Sequence, residues 1–276
     1  MAERDNIILI ESGKGAAALD LRELFRYREL FYFLAKRDIK VRYKQTILGG
    51  LWAIIQPAFS MIVFTMFFGR LAGMPSDGIP YPIFVYAGLL AWTYFANALS
   101  ASGESLVANS NLITKVYFPR LIVPAAAAIA GLLDFLVASS LLVVMMLWYG
   151  IYPGLSALIF PVLVGLTFLC AVGSGLWLAA LNVQYRDIRY AIPFLIQIWM
   201  FVSPVIYPSS IVPNQYQWVM ALNPMAGVIK TFRACLLGHQ AIDWASLGIS
   251  TLIILFLLVS GMFYFRRMES TFADVV

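Results

Sequence analysis

Apolar residues dominate six sustained runs, broken at Gly, Pro and charge, over about 48–69, 83–103, 121–149, 155–182, 189–207 and 244–265. A helix needs about 20 apolar residues at 1.5 Å rise to cross roughly 30 Å of hydrocarbon, so each run predicts a spanning helix. Ahead of the first run, Asp20 followed three positions later by Glu23 has the pattern of an N-cap with its capping-box partner and predicts a helix over 20–44. On a helical wheel Leu21, Leu24, Phe25, Tyr32, Ala35 and Ile39 gather on one side, and Arg22, Arg26, Arg37 and Lys40 on the other. Arg28, Leu30 and Phe33 break this pattern. A basic, aromatic-rich helix of this kind suits the plane of a membrane surface.

Between the fifth and sixth runs, 208–243 is apolar but interrupted by Pro208, Pro213 and Pro224. Residues 225–237 read as a helix stopped by Gly238, too short to cross and carrying Lys230 and Arg233. An external, re-entrant pair of half-helices is the expectation, with protein or water covering its backbone ends. The predicted fold is therefore all-α: one polytopic domain over 1–276, with an amphipathic interface helix at 20–44, a six-span bundle at 48–265 and the re-entrant segment at 208–243.

Composition agrees: 62% of the 276 residues are hydrophobic, 12% are charged, and the mean hydropathy is +0.84. The net charge of +5 follows membrane logic, because the basic residues flank apolar runs; lipid headgroups, and not nucleic acid, are the expected partner. The first 20 residues are polar and uneven, with no apolar core of signal-peptide length, which places the N-terminus in the cytoplasm. With both termini inside, sixteen of the nineteen Lys and Arg are cytoplasmic, and only Arg70, Lys230 and Arg233 are outside.

Much chemistry is missing. Gly13-Lys14-Gly15 is the nearest approach to a phosphate-binding loop, and it lacks both the hydroxyl residue and a preceding strand. His239 is the single histidine, without a nucleophile elbow, and Cys170 and Cys235 give no metal spacing. Neither catalysis nor a metal site is expected. Asp134 lies within the third run and Glu104 near the inner end of the second. Such groups keep a proton-coupled carrier open as a rival, against an Asp134 merely hydrogen-bonded inside the bundle; no inverted repeat supports the rival.

The run Arg-Asp-Ile-Lys-Val-Arg-Tyr-Lys-Gln-Thr at 37–46, then Leu48-Gly49, Leu51-Trp52 and Gln56-Pro57, resembles the N-terminal signature of type-2 ABC exporter permeases for polysaccharides. O-antigen, teichoic acid and capsule exporters belong to that group. Residues 111–120, 182–188, 203–207 and Asn223-Pro224 are similar to further stretches of the family, in family order. The resemblance implies a homodimeric permease in the bacterial inner membrane, moving a lipid-linked polysaccharide such as O-antigen. Two separate ATP-binding cassette subunits would dock on its cytoplasmic face and bind the ATP and Mg2+. Export of a small drug or lipid by the same architecture is the alternative.

In that family a short helix between spans two and three couples the ATPase to the channel, and it maps here onto 109–117. The residues suit it: Asn111, Thr114 and Lys115 offer polar contacts, while Leu112, Ile113, Tyr117 and Phe118 offer an apolar anchor. A membrane-surface turn with snorkelling Lys115 is the plainer reading. Arg186 and Asp187, in the next cytoplasmic turn, either contact the same partner or pair with each other or with Arg189.

A tolerant sugar conduit wants aromatic platforms with scattered hydrogen-bonding groups. Trp52, Gln56 and Phe59 stand at i, i+4 and i+7 on one face of the first span; Trp92, Tyr94, Phe95 and Trp199 are further candidates. Interfacial anchoring and bundle packing compete as explanations for every one of these rings. Lys230 and Arg233 are candidates for an outer gate that meets lipid phosphate or acidic glycan, or else snorkel to the surface.

Overall fold

The computed structural model describes residues 25–44, 49–238, 241–269 and 272. The expected cap at Asp20 and Glu23, residues 45–48 of the signature and His239 lie outside these. Among the described residues the regular structure is entirely helical. The helices are α1 (Arg28–Lys44), α2 (Leu51–Phe64, continued by a π-turn over Thr65–Leu71), α3 (Tyr81–Ala108), α4 (Ser110–Lys115), α5 (Ile122–Ala130), α6 (Leu132–Trp148), α7 (Phe160–Gln184), α8 (Ile188–Val202), α9 (Gln217–Leu222), α10 (Pro224–Leu237) and α11 (Trp244–Met268).

Among the described residues, five helical stretches are long and apolar enough to cross a membrane: Leu51–Leu71, Tyr81–Ala108, Ile122–Trp148, Leu155–Gln184 and Trp244–Met268. Together with large exposed apolar side chains such as Val144, Leu252 and Phe256, they make this a multi-pass membrane protein. The fifth expected run, 189–207, forms a helix of only 15 residues, about 22 Å long. It stops at Val202 because Pro204 drives Ser203 out of the helical region, to φ −90 and ψ 146.

α3 is the axis of the bundle: 78% of its most apolar window is buried, against 6% for the α2 span. Small residues set the distances around it. A Cβ added at Gly103 would sit 3.2 Å from Cβ of Leu178 on α7, and one at Gly261 on α11 would meet the Gly173 carbonyl oxygen of α7 at 2.5 Å. Helices in lipid gain most of their association from such close van der Waals contact.

α10 is held at both ends. Asn223 caps it, its side chain accepting from the Met225 amide at 3.1 Å, and Pro224 suits the first turn. Gly238, at φ +68, closes it as the sequence predicts. Every residue of α10 except Lys230 is buried.

α1 lies against α5, with a different face inward from the one the wheel expects. Leu34 and Ala35 are buried, with Tyr27, Leu30 and Phe31 packed beside them, while Tyr32 and Phe33 are exposed. The reason is that the groove it fills is apolar protein, so the packed stripe runs through 27, 30–31 and 34–35, and the rings of Tyr32 and Phe33 stay outside it.

The α7–α11 crossing generates a direct test. Gly173→Ala would bring a methyl to 2.8 Å from the Leu258 backbone nitrogen and force the helices apart; a loss of about 1–3 kcal/mol is expected, read as a lower melting temperature of the purified chain. Gly165→Ala, where nothing lies within 4 Å, should not lower it.

Candidate functional site

The two ends of the bundle differ. At one end α3 passes through Asn109 into the six-residue α4. The Asn109 side chain donates to the Ser105 carbonyl at 2.8 Å and accepts from Arg37 of α1 at 2.7 Å. Ile113 and Phe118 are 3% and 4% exposed, and with partly buried Leu112 they pin the segment to the bundle. Asn111, Thr114, Lys115 and Tyr117 are left outward.

The turn carrying Arg186 and Asp187 belongs to this same end, because Asn182 of α7 donates to the Gly103 carbonyl of α3 at 3.1 Å. Both residues are exposed, and among the described residues they form no ion pair with each other. Arg189 donates instead to the Tyr190 hydroxyl at 2.7 Å. Arg120 of the same end bonds Glu269 just past α11. The surface made by Asn111, Thr114, Lys115, Tyr117, Arg186 and Asp187 is therefore contiguous with one end of α3 and α7, polar, and rimmed by cations.

The expected conduit residues divide. Trp52, Gln56 and Phe59 are all exposed on α2, and Trp52, Gln56 and Tyr94 line a cavity of about 220 Å³ together with Thr93, Asn97 and Asp134. Trp92 and Phe95, by contrast, are 3% and 0% exposed and pack on Trp199, with ring centroids 6.4 and 4.9 Å away. This corrects the expectation that they face a conduit: within the chain they form a wedge beneath α10. Trp199 donates its indole N–H to Asn223 at 3.0 Å, so this cluster seats the tip between α9 and α10.

Asp134 has partners that its place in the sequence did not reveal: the Arg42 guanidinium and the Tyr43 hydroxyl, both from α1. A carboxylate inside a span is thereby paired, as the plainer expectation held.

At the far end, Lys230 pairs with Asp243 at 2.7 Å, and Asp243 also caps α11, accepting from the Ser246 amide at 3.1 Å and its hydroxyl at 2.6 Å. The Lys230 bond first, then the two from Ser246, hold the Asp243 carboxyl well below the usual carboxylate range. A cavity of about 550 Å³ lies beside this pair, lined also by Asp77, Gln217 and Trp218. Arg233 is a correction: far from meeting headgroups, it is 7% exposed. Its guanidinium donates to the carbonyls of Phe84 at 3.0 Å, Pro204 at 2.7 Å and Val205, and lies 3.7 Å from the Phe84 ring centroid. Gly88 leaves the space for it. The signal in the sequence was the Ser203-Pro204-Val205 break, whose carbonyls need a buried donor.

A family model described as ABC-2 type transporter matches residues 29–237. The O-antigen export system permease protein RfbA of Myxococcus xanthus is 29% identical over 259 residues, 93% of this chain and 98% of that protein. A protein of the same name from Klebsiella pneumoniae is 26% identical, with 90% and 95% covered. The polysialic acid transport protein KpsM of Escherichia coli is 26% identical, with 84% and 91% covered.

Two outcomes follow from the far end. Arg233→Met strands the Pro204 and Val205 carbonyls and should cost about 2–4 kcal/mol in chemical unfolding of the purified chain; Arg233→Lys, with no planar fork, should recover only part. Asp243 has a lowered pKa in the folded state, so its contribution is complete above its unfolded value of about 3.9 and is lost as pH falls below it. Melting temperatures of wild type and Lys230→Met should therefore keep their gap from pH 6 to about 4.5 and only begin to converge as pH falls from there towards about 3.

Proposed function

The chain belongs to the ABC-2 type transporter family, and from that premise we propose that it is the membrane-spanning permease of an ATP-driven exporter of a lipid-linked polysaccharide. The observation that carries the reading is coverage: relatives named for O-antigen export and polysialic acid transport align over 84–93% of this chain and 91–98% of their own length. The whole bundle, and not one helix pair, is what they share.

The rest of the reading is built on that. The end bearing α4 faces the cytoplasm, because it carries Lys115, Arg120, Arg186, Arg189, Arg266 and Arg267, while the far end shows Arg70 and Lys230. Both termini are then cytoplasmic, in a bacterial inner membrane. α8 and the turn behind it complete a sixth crossing within the single permease domain, and α9 and α10 form a re-entrant hairpin whose capped tip at Asn223 dips into the outer half of the bundle.

This chain splits no bond. ATP and Mg2+ belong to two separate ATP-binding cassette subunits, which dock on Asn111, Thr114, Lys115, Tyr117, Arg186 and Asp187, with Leu112, Ile113 and Phe118 carrying their movement into the bundle. A second copy of the chain packs against the bare face of α2, and the conduit runs between copies past Trp52, Gln56 and Phe59, with Tyr94 behind them. Lys230, still accessible beside Asp243, is the outer residue placed to meet the emerging glycan. The paired state of Asp134 supports ATP-driven over proton-coupled transport.

Purified chain in lipid should be inert towards ATP alone, and should form a complex with its ATPase subunit whose hydrolysis responds to lipid-linked glycan. Lys115→Glu combined with Tyr117→Ala should weaken that complex by at least about tenfold, 1.4 kcal/mol, in pull-down titration without lowering the melting temperature. Failure of any ATPase subunit to bind, with uptake driven by a proton gradient, would overturn the reading.

A further inference from the structure

The cavity between α2, α3 and α6 sets several polar side chains among apolar ones. Its lining includes Gln56, Thr93, Tyr94, Asn97 and Asp134, with the Trp52 ring at its edge. Polar groups at membrane depth are a functional signal when they converge on one space. Tyr94 adds an independent observation: it is 3% exposed, and among the described residues its buried hydroxyl has no hydrogen-bond partner. A buried hydroxyl left unpaired is costly, and native structures retain few of them.

Charge narrows the occupant. Asp134 is the carboxylate of the cavity and Arg42 its cation, and the two are bonded to each other, with Tyr43 as a second donor to Asp134. What remains to greet a ligand is neutral: two amides, each able to donate and accept, and two hydroxyls. An ionised phosphate would need Arg42 released and would then face Asp134. A sugar ring needs neither, since its hydroxyls match the amides and its CH face matches Trp52 and Phe135, which also lines the space. The volume of about 220 Å³ is below the roughly 300–1,000 Å³ of drug-sized pockets, and suits one small unit.

We propose that this cavity is a seat for a single neutral sugar unit of the transported glycan, whose hydroxyl becomes the missing partner of Tyr94. The inference rests on the export reading. It makes each copy of the chain grip the glycan at a fixed depth beside α1, so that polymer advances from one held unit to the next.

The test uses the full chain in cells, with Asn97→Cys or Thr93→Cys as reporters; Cys170 and Cys235 are buried and stay in place. A small water-soluble methanethiosulfonate is applied with export stalled by a hydrolysis-dead ATPase subunit. The expected result is labelling in cells that make no glycan and loss of labelling in cells that make it. Equal labelling in both overturns the seat, as does protection by cells that make only the lipid diphosphate carrier, which would put the headgroup there.

Tyr94→Phe supplies the second arm. A hydroxyl with no partner in the free chain can be removed without lowering the melting temperature, whereas loss of the ligand bond should lower export. Wild-type export from Tyr94→Phe cells counts against the seat. If export proceeds without this chain altogether, the export reading itself fails; if export needs the chain but labelling ignores glycan, only the seat fails.

Discussion

A backbone buried among apolar side chains has no water to turn to, so every amide and carbonyl must find its partner inside the protein. Helices meet this demand over their length, and the architecture is decided where they stop. Around the break at residues 203–224, side chains answer. Arg233 serves the Pro204 and Val205 carbonyls behind α8; Asn223 serves the start of α10 and also donates to the Ser203 hydroxyl at 2.9 Å; within α3, away from any break, the Gly103 carbonyl also accepts from Asn182 of α7. These bonds tie elements far apart in sequence, so the same groups that make the breaks tolerable also fix the packing order of the bundle.

The two ends then acquire different characters. One gathers cations around a short helix fastened by buried Ile113 and Phe118 and presents an exposed polar surface. The other is closed by α10, buried along nearly its whole length and locked by a guanidinium. Between them, α2 contributes little to the interior, 6% buried against 78% for α3. An apolar helix this bare is matched to lipid or to another chain, and it carries Trp52, Gln56 and Phe59 outward with it.

Most of the fold was legible because lipid makes hydrophobic run length an almost sufficient signal, and because caps such as Gly238 are local. What could not be read depended on contacts between remote segments. The inward face of α1 follows the groove it fills, so Leu30, a defect on the wheel, is a packing residue. Trp92 and Trp52 look alike as aromatic residues in spans, yet one lies in the interior and the other outside, since α3 is central and α2 peripheral. Arg233 read as a surface cation because nothing beside it in the sequence reports the carbonyls of residues 204 and 205. Asp134 was visible as an anomaly, and its partners on α1 were not.

α3 has a consequence of its own. Its 28 residues make a rod of about 42 Å, stiff along its axis because a regular helix has no slack to take up. One tip runs into α4 through Asn109, and the other presents the Phe84 carbonyl to Arg233. The exposed polar surface around α4 and the closure by α10 are thus hung on a single strut, and beyond the Asn109 turn an axial displacement meets no further joint before it reaches the lock on α10.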